Sequence, residues 1–174
     1  MQQRIDNTSD ARKHFEKAIS IEPEVADHRN SYGVFLCESG ELTAAQSEFD
    51  KAATNPFYKT PEYALDNAGL CLLDAGDTGG AETYLRDALR RNPRFAPALL
   101  HMADLLFQEQ RLTLANAYFG RYSEYGKPSP ASLSLGLQIR RELGDKSGAK
   151  QLADRLLNDF PDSSEAGEYL LRPL

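Results

Sequence analysis

Apolar and small residues recur along this chain with helical spacing. One string places an alanine, a large apolar residue four positions later, a second alanine three positions after that, and a proline five positions further on. It occurs as Ala11, Phe15, Ala18 and Pro23, and again as Ala81, Leu85, Ala88 and Pro93. Steps of four and three residues bring side chains onto one face of an α-helix. Proline then ends the helix, because it lacks an N–H and its ring clashes with the preceding turn.

The string returns at a nearly constant interval. Looser copies begin at Ala45, Ala115 and Ala149, so that successive leading alanines are 34, 36, 34 and 34 residues apart. A small residue lies twelve or thirteen positions before each of the last four alanines: Gly33, Gly69, Ala103 and Gly136. The pattern resembles the tetratricopeptide repeat (TPR), a helix pair with a period of about 34 residues. The small residues let two helices cross closely, and the pairs must stack because one pair cannot bury its apolar face alone.

These repeats predict an all-α fold, a TPR right-handed α-solenoid of antiparallel helix pairs in a single array over residues 1–174. The predicted elements are an orphan second helix at 9–21, helix pairs at 25–54, 61–91, 95–125 and 130–159, and a capping helix at 162–171. Gly40, Gly76 and Gly144 fall between the helices of three pairs, where glycine suits the left-handed backbone that ends a helix.

The beginning of the predicted array is unusual. A lone helix at 9–21 leaves the first pair half covered on the side where Phe15 and Ile19 would pack. We therefore expect a preceding helix upstream of this chain, so that the sequence is truncated at its N-terminus. An apolar patch left exposed in this way would favour self-association.

Composition and charge argue against two classes of protein, those that bind nucleic acid and those that span a membrane. The formal net charge is −6, which argues against nucleic acid as a partner, because binding a phosphate backbone needs a basic face. No apolar run approaches the roughly eighteen residues of a membrane span. The first six residues also lack the apolar core of a signal peptide.

The two cysteines, Cys37 and Cys71, lie in predicted helices and have no CxxC partner. A disulfide between them would need their Cα atoms to lie within about 7 Å of each other. We interpret them as buried free thiols.

No pattern in the sequence predicts catalysis, a cofactor or a metal. His14, His28 and His101 fall in different repeats and form no HExxH pair, whereas a metal site needs converging ligands. Neither a GxSxG elbow, a phosphate-binding loop nor a GxGxxG fingerprint is present. The sequence therefore favours a binding protein over an enzyme.

The first helices of successive TPR pairs are expected to line a concave, partner-binding surface. The predicted groove residues are Asn30, Val34, Cys37, Tyr63, Asp66, Leu70, Leu73, Leu100, Asp104, Phe107, Leu137 and Arg140. If exposed, this largely apolar set would suit an amphipathic helix or an extended apolar segment of a partner. An alternative is that neighbouring helices cover several of these residues. A clamp for a terminal carboxylate is disfavoured, since the set contains no lysine and only one asparagine.

Several segments resemble one family more closely: the type IV pilus biogenesis/stability lipoproteins named PilF or PilW, which act as pilotins. They are residues 30–36 (NSYGVFL), 98–107 (ALLHMADLLF), 132–137 (SLSLGL) and 156–161, and the connector with Phe57, Tyr58 and Pro61 is also similar. The resemblance spans about residues 10–170.

This resemblance implies a periplasmic protein held to the outer membrane by a lipid. Such a protein would help the pilus secretin assemble, or would stabilise pili, with the secretin as its partner. The lipoprotein signal and acylated cysteine of the family do not occur in this sequence, so the membrane anchor follows from resemblance alone. The alternative is a generic TPR adaptor for another bacterial protein.

Overall fold

The computed structural model describes the backbone of residues 2–171 and the side chains of residues 9–171. Within that range the chain forms ten helices and no strand, which confirms the predicted all-α class. The helices are α1 (Gln2–Ile21), α2 (Ala26–Glu38), α3 (Leu42–Ala53), α4 (Pro61–Asp74), α5 (Thr78–Arg91), α6 (Ala96–Gln108), α7 (Leu112–Tyr125), α8 (Pro130–Glu142), α9 (Lys146–Asp159) and α10 (Ser164–Leu171).

The observed helix bounds differ little from the predicted ones. Helices α5, α7 and α9 end at Arg91, Tyr125 and Asp159, the predicted ends of their pairs. By contrast, α1 begins at Gln2 rather than at residue 9, and α10 begins at Ser164 rather than at residue 162. Ser163 accounts for the later start of α10, because its hydroxyl oxygen accepts a hydrogen bond from the Ala166 amide at 3.2 Å. This is the usual way a serine caps a helix N-terminus.

The same turn links the two helices of every pair. After α2, the Gly40 amide donates to the Cys37 carbonyl at 2.9 Å and the Glu41 amide donates to the Leu36 carbonyl at 2.9 Å. This pair of hydrogen bonds is the Schellman motif, in which the residue directly after the helix cap has a left-handed backbone. Gly40 accordingly has a φ of 80°. Gln110, with a φ of 59°, has the equivalent place after α6 and is the one described non-glycine residue with a positive φ.

The predicted small residues lie at close helix crossings. A Cβ on Gly33 would lie 2.6 Å from Cε1 of Phe49, whose side chain is fully buried. Gly69 lies against Leu85 and Gly136 against the Phe119 ring in the same way. The leading alanines of the second helices are also fully buried: Ala45, Ala81, Ala115 and Ala149. Small residues at these crossings let the large side chains fill the space between helices.

Helix packing divides the chain into two compact units, Met1–Pro93 and Arg94–Leu174, of which residues 2–93 and 94–171 are described. That both belong to a single array remains a prediction from the repeat period. In the first unit, Phe15 and Ile19 of α1 pack against the buried cluster of the first helix pair. The Phe15 ring stacks on Tyr32 at 5.5 Å and contacts Phe35 at 5.3 Å between centroids.

The interpretation of the cysteines as free thiols is wrong. Cys37 on α2 and Cys71 on α4 form a disulfide, with their Cα atoms 5.8 Å apart. The Cα atoms are close enough for a disulfide because α2 and α4 lie side by side in the first unit. The bond joins two neighbouring helix pairs across 34 residues of chain.

In the second unit, α10 packs against α8 and α9. Its Ala166 is fully buried in a cluster with Leu133 and Leu156. Helix α10 thus lies against both helices of the fourth pair, and its role as the cap of the array remains a prediction.

We predict that Gly33→Ala destabilises the protein by about 1–3 kcal/mol, because the added methyl group overpacks a crossing whose Phe49 ring is fully buried. Gly120→Ala is the matched control: a Cβ there meets no described heavy atom within 4 Å. It should stabilise α7 by up to about 1 kcal/mol, because alanine has the higher helix propensity. Urea unfolding measures both. Equal stability of the two variants would contradict the close crossing.

We predict that Cys37→Ala with Cys71→Ala lowers the free energy of unfolding by about 3–4 kcal/mol. The reason is that cross-linking a loop of this length restricts the unfolded chain. Thermal unfolding with and without dithiothreitol checks this expectation. Reductant should lower the melting temperature of the parent protein and leave that of the double variant unchanged; an unchanged parent would refute the bond.

Candidate protein-interaction surface

The predicted groove residues of the first unit lie on α2 and α4. A disulfide and a side-chain hydrogen bond join these two helices. One is the disulfide of Cys37, and the other is a hydrogen bond of 3.0 Å from Nδ2 of Asn67 to Oδ1 of Asn30. Val34, Leu70 and Leu73 are half-buried, and Tyr63 is 49% exposed. The surface between these helices is therefore held in one arrangement by a covalent bond and an amide pair.

Two predicted groove residues are turned inward. Asp66 is 5% exposed and Leu137 is 6% exposed, so these side chains offer little area to a partner. A third, Arg140, donates to Oδ2 of Asp145 at 2.6 Å and so is held at the end of its own helix pair. The physical reason is helix rotation: one position along a helix turns a side chain by about 100°.

The second unit contains a cavity of about 330 Å³ that brings three predicted residues together, Leu100, Asp104 and Phe107 on α6. The remaining lining residues come from α6, α8 and α10: His101, Gln108, Ala131, Ser134, Leu135, Gln138 and Glu165. Sequence reasoning missed the contribution of α10, because Glu165 reaches the cavity only through the packing of that helix on α8.

Apolar and acidic side chains are combined in this cavity. Leu100 and Phe107 are half-buried and supply apolar wall. Asp104 is exposed and accepts a hydrogen bond from Nε2 of Gln108 at 3.3 Å, and Glu165 adds a second carboxylate. No lysine or arginine occurs among the lining residues of the described chain. The cavity therefore suits a segment that carries apolar side chains next to a lysine or arginine, and it does not suit a terminal carboxylate.

Neither a metal centre nor a membrane span is found among the described residues. No group of three or more His, Cys, Asp or Glu side chains there could hold a metal ion. No described helix is both long and apolar enough to cross a bilayer.

Comparison with known proteins identifies the repeats. Family models of the tetratricopeptide repeat match residues 72–139 and 131–163. The type IV pilus assembly protein PilF of Pseudomonas aeruginosa is 27% identical over 159 residues, which cover 91% of this chain and 63% of that protein. The chain thus spans less than two thirds of the length of this curated relative.

Solved structures agree in both fold and sequence. The crystal structure of PilW, a widely conserved type IV pilus biogenesis factor, has a TM-score of 0.79 and 33% identity, covering 97% of this chain and 77% of PilW. The structure of Pseudomonas aeruginosa PilF has a TM-score of 0.78 and 26% identity, covering 91% and 72%. These similarities confirm the predicted TPR α-solenoid class. The chain belongs to the family of TPR proteins of type IV pilus biogenesis that includes PilF and PilW.

Proposed function

We propose that this protein is a non-catalytic, pilotin-like scaffold that assists outer-membrane secretin assembly or pilus stability in type IV pilus biogenesis. The observation that carries the proposal is the α6–α8–α10 cavity in a protein of this family. Its partner segment would place apolar side chains against Leu100 and Phe107 and a basic side chain near Asp104 or Glu165.

The shape and chemistry of the cavity support binding of a protein segment. Recognition of an amphipathic segment combines apolar anchors with oriented charges, as this lining does. The carboxylates would favour partners with lysine or arginine and repel acidic ones. Specificity would then come from the carboxylates and affinity mainly from the apolar anchors.

The disulfide supports a location outside the reducing cytoplasm. Stable disulfides form in oxidising compartments such as the bacterial periplasm and are rare in the cytosol. The bond between Cys37 and Cys71 therefore fits the proposed place of this protein, the periplasmic face of the outer membrane with attachment through a lipid.

We predict that Phe107→Asp abolishes capture of the secretin while leaving the helical content unchanged. The residue is half-buried in the cavity, so a carboxylate there removes an apolar anchor and adds negative charge. The measurement is a pull-down from detergent-solubilised outer membranes of the source bacterium, with the secretin identified by mass spectrometry. Circular dichroism verifies that the variant is folded.

The matched control is Leu114→Asp, which introduces the same charge at a 44% exposed leucine on α7, outside the cavity lining. It should capture the secretin as well as the parent does. Equal capture by the Phe107 variant would disprove a role for the cavity. If the secretin is absent from every sample and the parent specifically captures another protein, that protein and not the secretin is the partner.

We also predict that the disulfide is formed in living cells. Cells are quenched with trichloroacetic acid and the protein is denatured before alkylation with a maleimide polymer, so that every free thiol is accessible. The reagent should label neither cysteine without reduction and both after reduction. Cys37→Ala provides the matched control, because its single remaining thiol should react without reduction. A parent protein that is labelled twice without reduction would contradict the proposed compartment.

A further inference from the structure

A second cavity in the 94–174 unit, of about 500 Å³, has the opposite charge character. It lies where the turn between α8 and α9 meets α10, and it is lined by Arg141, Gly144, Lys146, Ala149, Lys150 and Tyr169. Three cations thus converge on one opening, although the whole protein has a net charge of −6. Three acidic residues are sequence neighbours of the lining residues: Glu142 and Glu168 are exposed, Asp145 is half-buried, and none of them lines the described cavity.

Two of the three cations have no carboxylate partner among the described side chains. Lys150 pairs with Asp154 at 2.6 Å. Arg141 and Lys146 are exposed, and neither forms an ion pair with any side chain in the described range 9–171. A guanidinium and an ammonium with unused donors can bind carboxylates, and the arginine can do so through two parallel hydrogen bonds.

The backbone at this cavity is already hydrogen-bonded. Asp145 caps α9, and its Oδ1 accepts from the Gly148 amide at 2.9 Å. This bond, with the guanidinium of Arg140, lowers the pKa of the Asp145 carboxyl below its ordinary value. The N-terminal end of α9 therefore holds an anion of its own chain, whereas phosphate sites usually rely on free backbone amides. An anion in the cavity would be bound by side-chain cations instead.

The part of the cavity wall that the three cations do not form is largely apolar. Ala149 is buried at its base, and half-buried Tyr169 from α10 forms one side. The volume is in the range of about 300–1,000 Å³ that is typical of ligand sites, far larger than a single phosphate needs. An occupant with both carboxylates and an apolar side chain would use the whole surface.

We propose that this cavity binds an acidic, amphipathic peptide segment of a protein partner. Glutamate or aspartate side chains of that segment bind Arg141 and Lys146, and an adjacent apolar side chain lies against Tyr169 and Ala149. This partner segment has the opposite charge to the one proposed for the α6–α8–α10 cavity, so the two sites accept different segments.

The test uses the full chain and a fluorescein-labelled peptide in which glutamates alternate with leucines. Fluorescence anisotropy should show binding that weakens as salt is raised, since surface charges are screened beyond about 8 Å at physiological ionic strength. Arg141→Glu with Lys146→Glu should weaken binding by at least about tenfold, because two attractive contacts become repulsive. The same peptide with glutamine in place of glutamate should bind no better to the parent than to this variant.

The matched control is Lys17→Glu with Lys59→Glu, two exposed lysines outside this cavity whose replacement changes the net charge equally. It should bind the peptide as the parent does. A neutral double variant, Arg141→Gln with Lys146→Gln, should also lose binding while keeping the parent melting temperature, which separates binding from folding.

Three results would overturn the proposal. The first is equal binding by the parent and the Arg141/Lys146 variants. The second is displacement of the peptide by millimolar inorganic phosphate, which would indicate a phosphate site. The third is binding of phosphatidylglycerol vesicles by the parent with no binding of the peptide, which would indicate a lipid surface.

Discussion

At three close helix crossings, a glycine leaves room for a large side chain of a neighbouring helix. Gly33 lies against Phe49 and Gly69 against Leu85, both on the second helix of the same pair. Gly136 on α8 lies instead against Phe119 on α7, which belongs to the preceding pair. The three large side chains are almost fully buried there. A larger residue in place of the glycine would keep the two helices apart, because helix interfaces are packed without spare volume.

A second set of contacts joins neighbouring pairs in the 1–93 unit. The disulfide of Cys37 with Cys71 lies on the side of the first helices. On the second helices, the Tyr84 hydroxyl donates to Asp50 at 3.0 Å. Burial, followed by this bond to Asp50, raises the pKa of Tyr84 to about 12, so the hydroxyl keeps its proton and remains a donor at neutral pH. Covalent and polar links thus hold the pairs that apolar packing brings together.

The two cavities of the 94–174 unit show how one short array can present distinct surfaces. Both involve α8 and α10, yet one is lined by Asp104 and Glu165 and the other by Arg141 and Lys146. Because charge mismatches cost affinity, opposite charges on two cavities prevent one segment from binding both. Helix α10 contributes a lining residue to each, Glu165 to the first cavity and Tyr169 to the second, so it would take part in both of the proposed interactions.

Short-range patterns were sufficient to predict the helices and the repeat. Helices α5, α7 and α9 end where the predicted pairs end, because caps, turn residues and prolines act on their immediate neighbours. The alanine interval predicted the pairs, since each crossing needs its small residue at a fixed distance along the chain. The sequence alone thus determined the fold class, the helix pairs and the absence of a recognisable catalytic motif.

Only the tertiary structure decided which side chains meet. It paired Cys37 with Cys71, turned Asp66 and Leu137 inward, and brought Glu165 and Tyr169 to the cavities. These outcomes depend on the rotation of each helix about its axis and on contacts between residues that are distant in the sequence. A rotation of one position moves a side chain by about 100°, from a groove to the interior. A repeat pattern specifies where two helices cross. Which of the remaining side chains are exposed depends on how neighbouring helix pairs pack against each other.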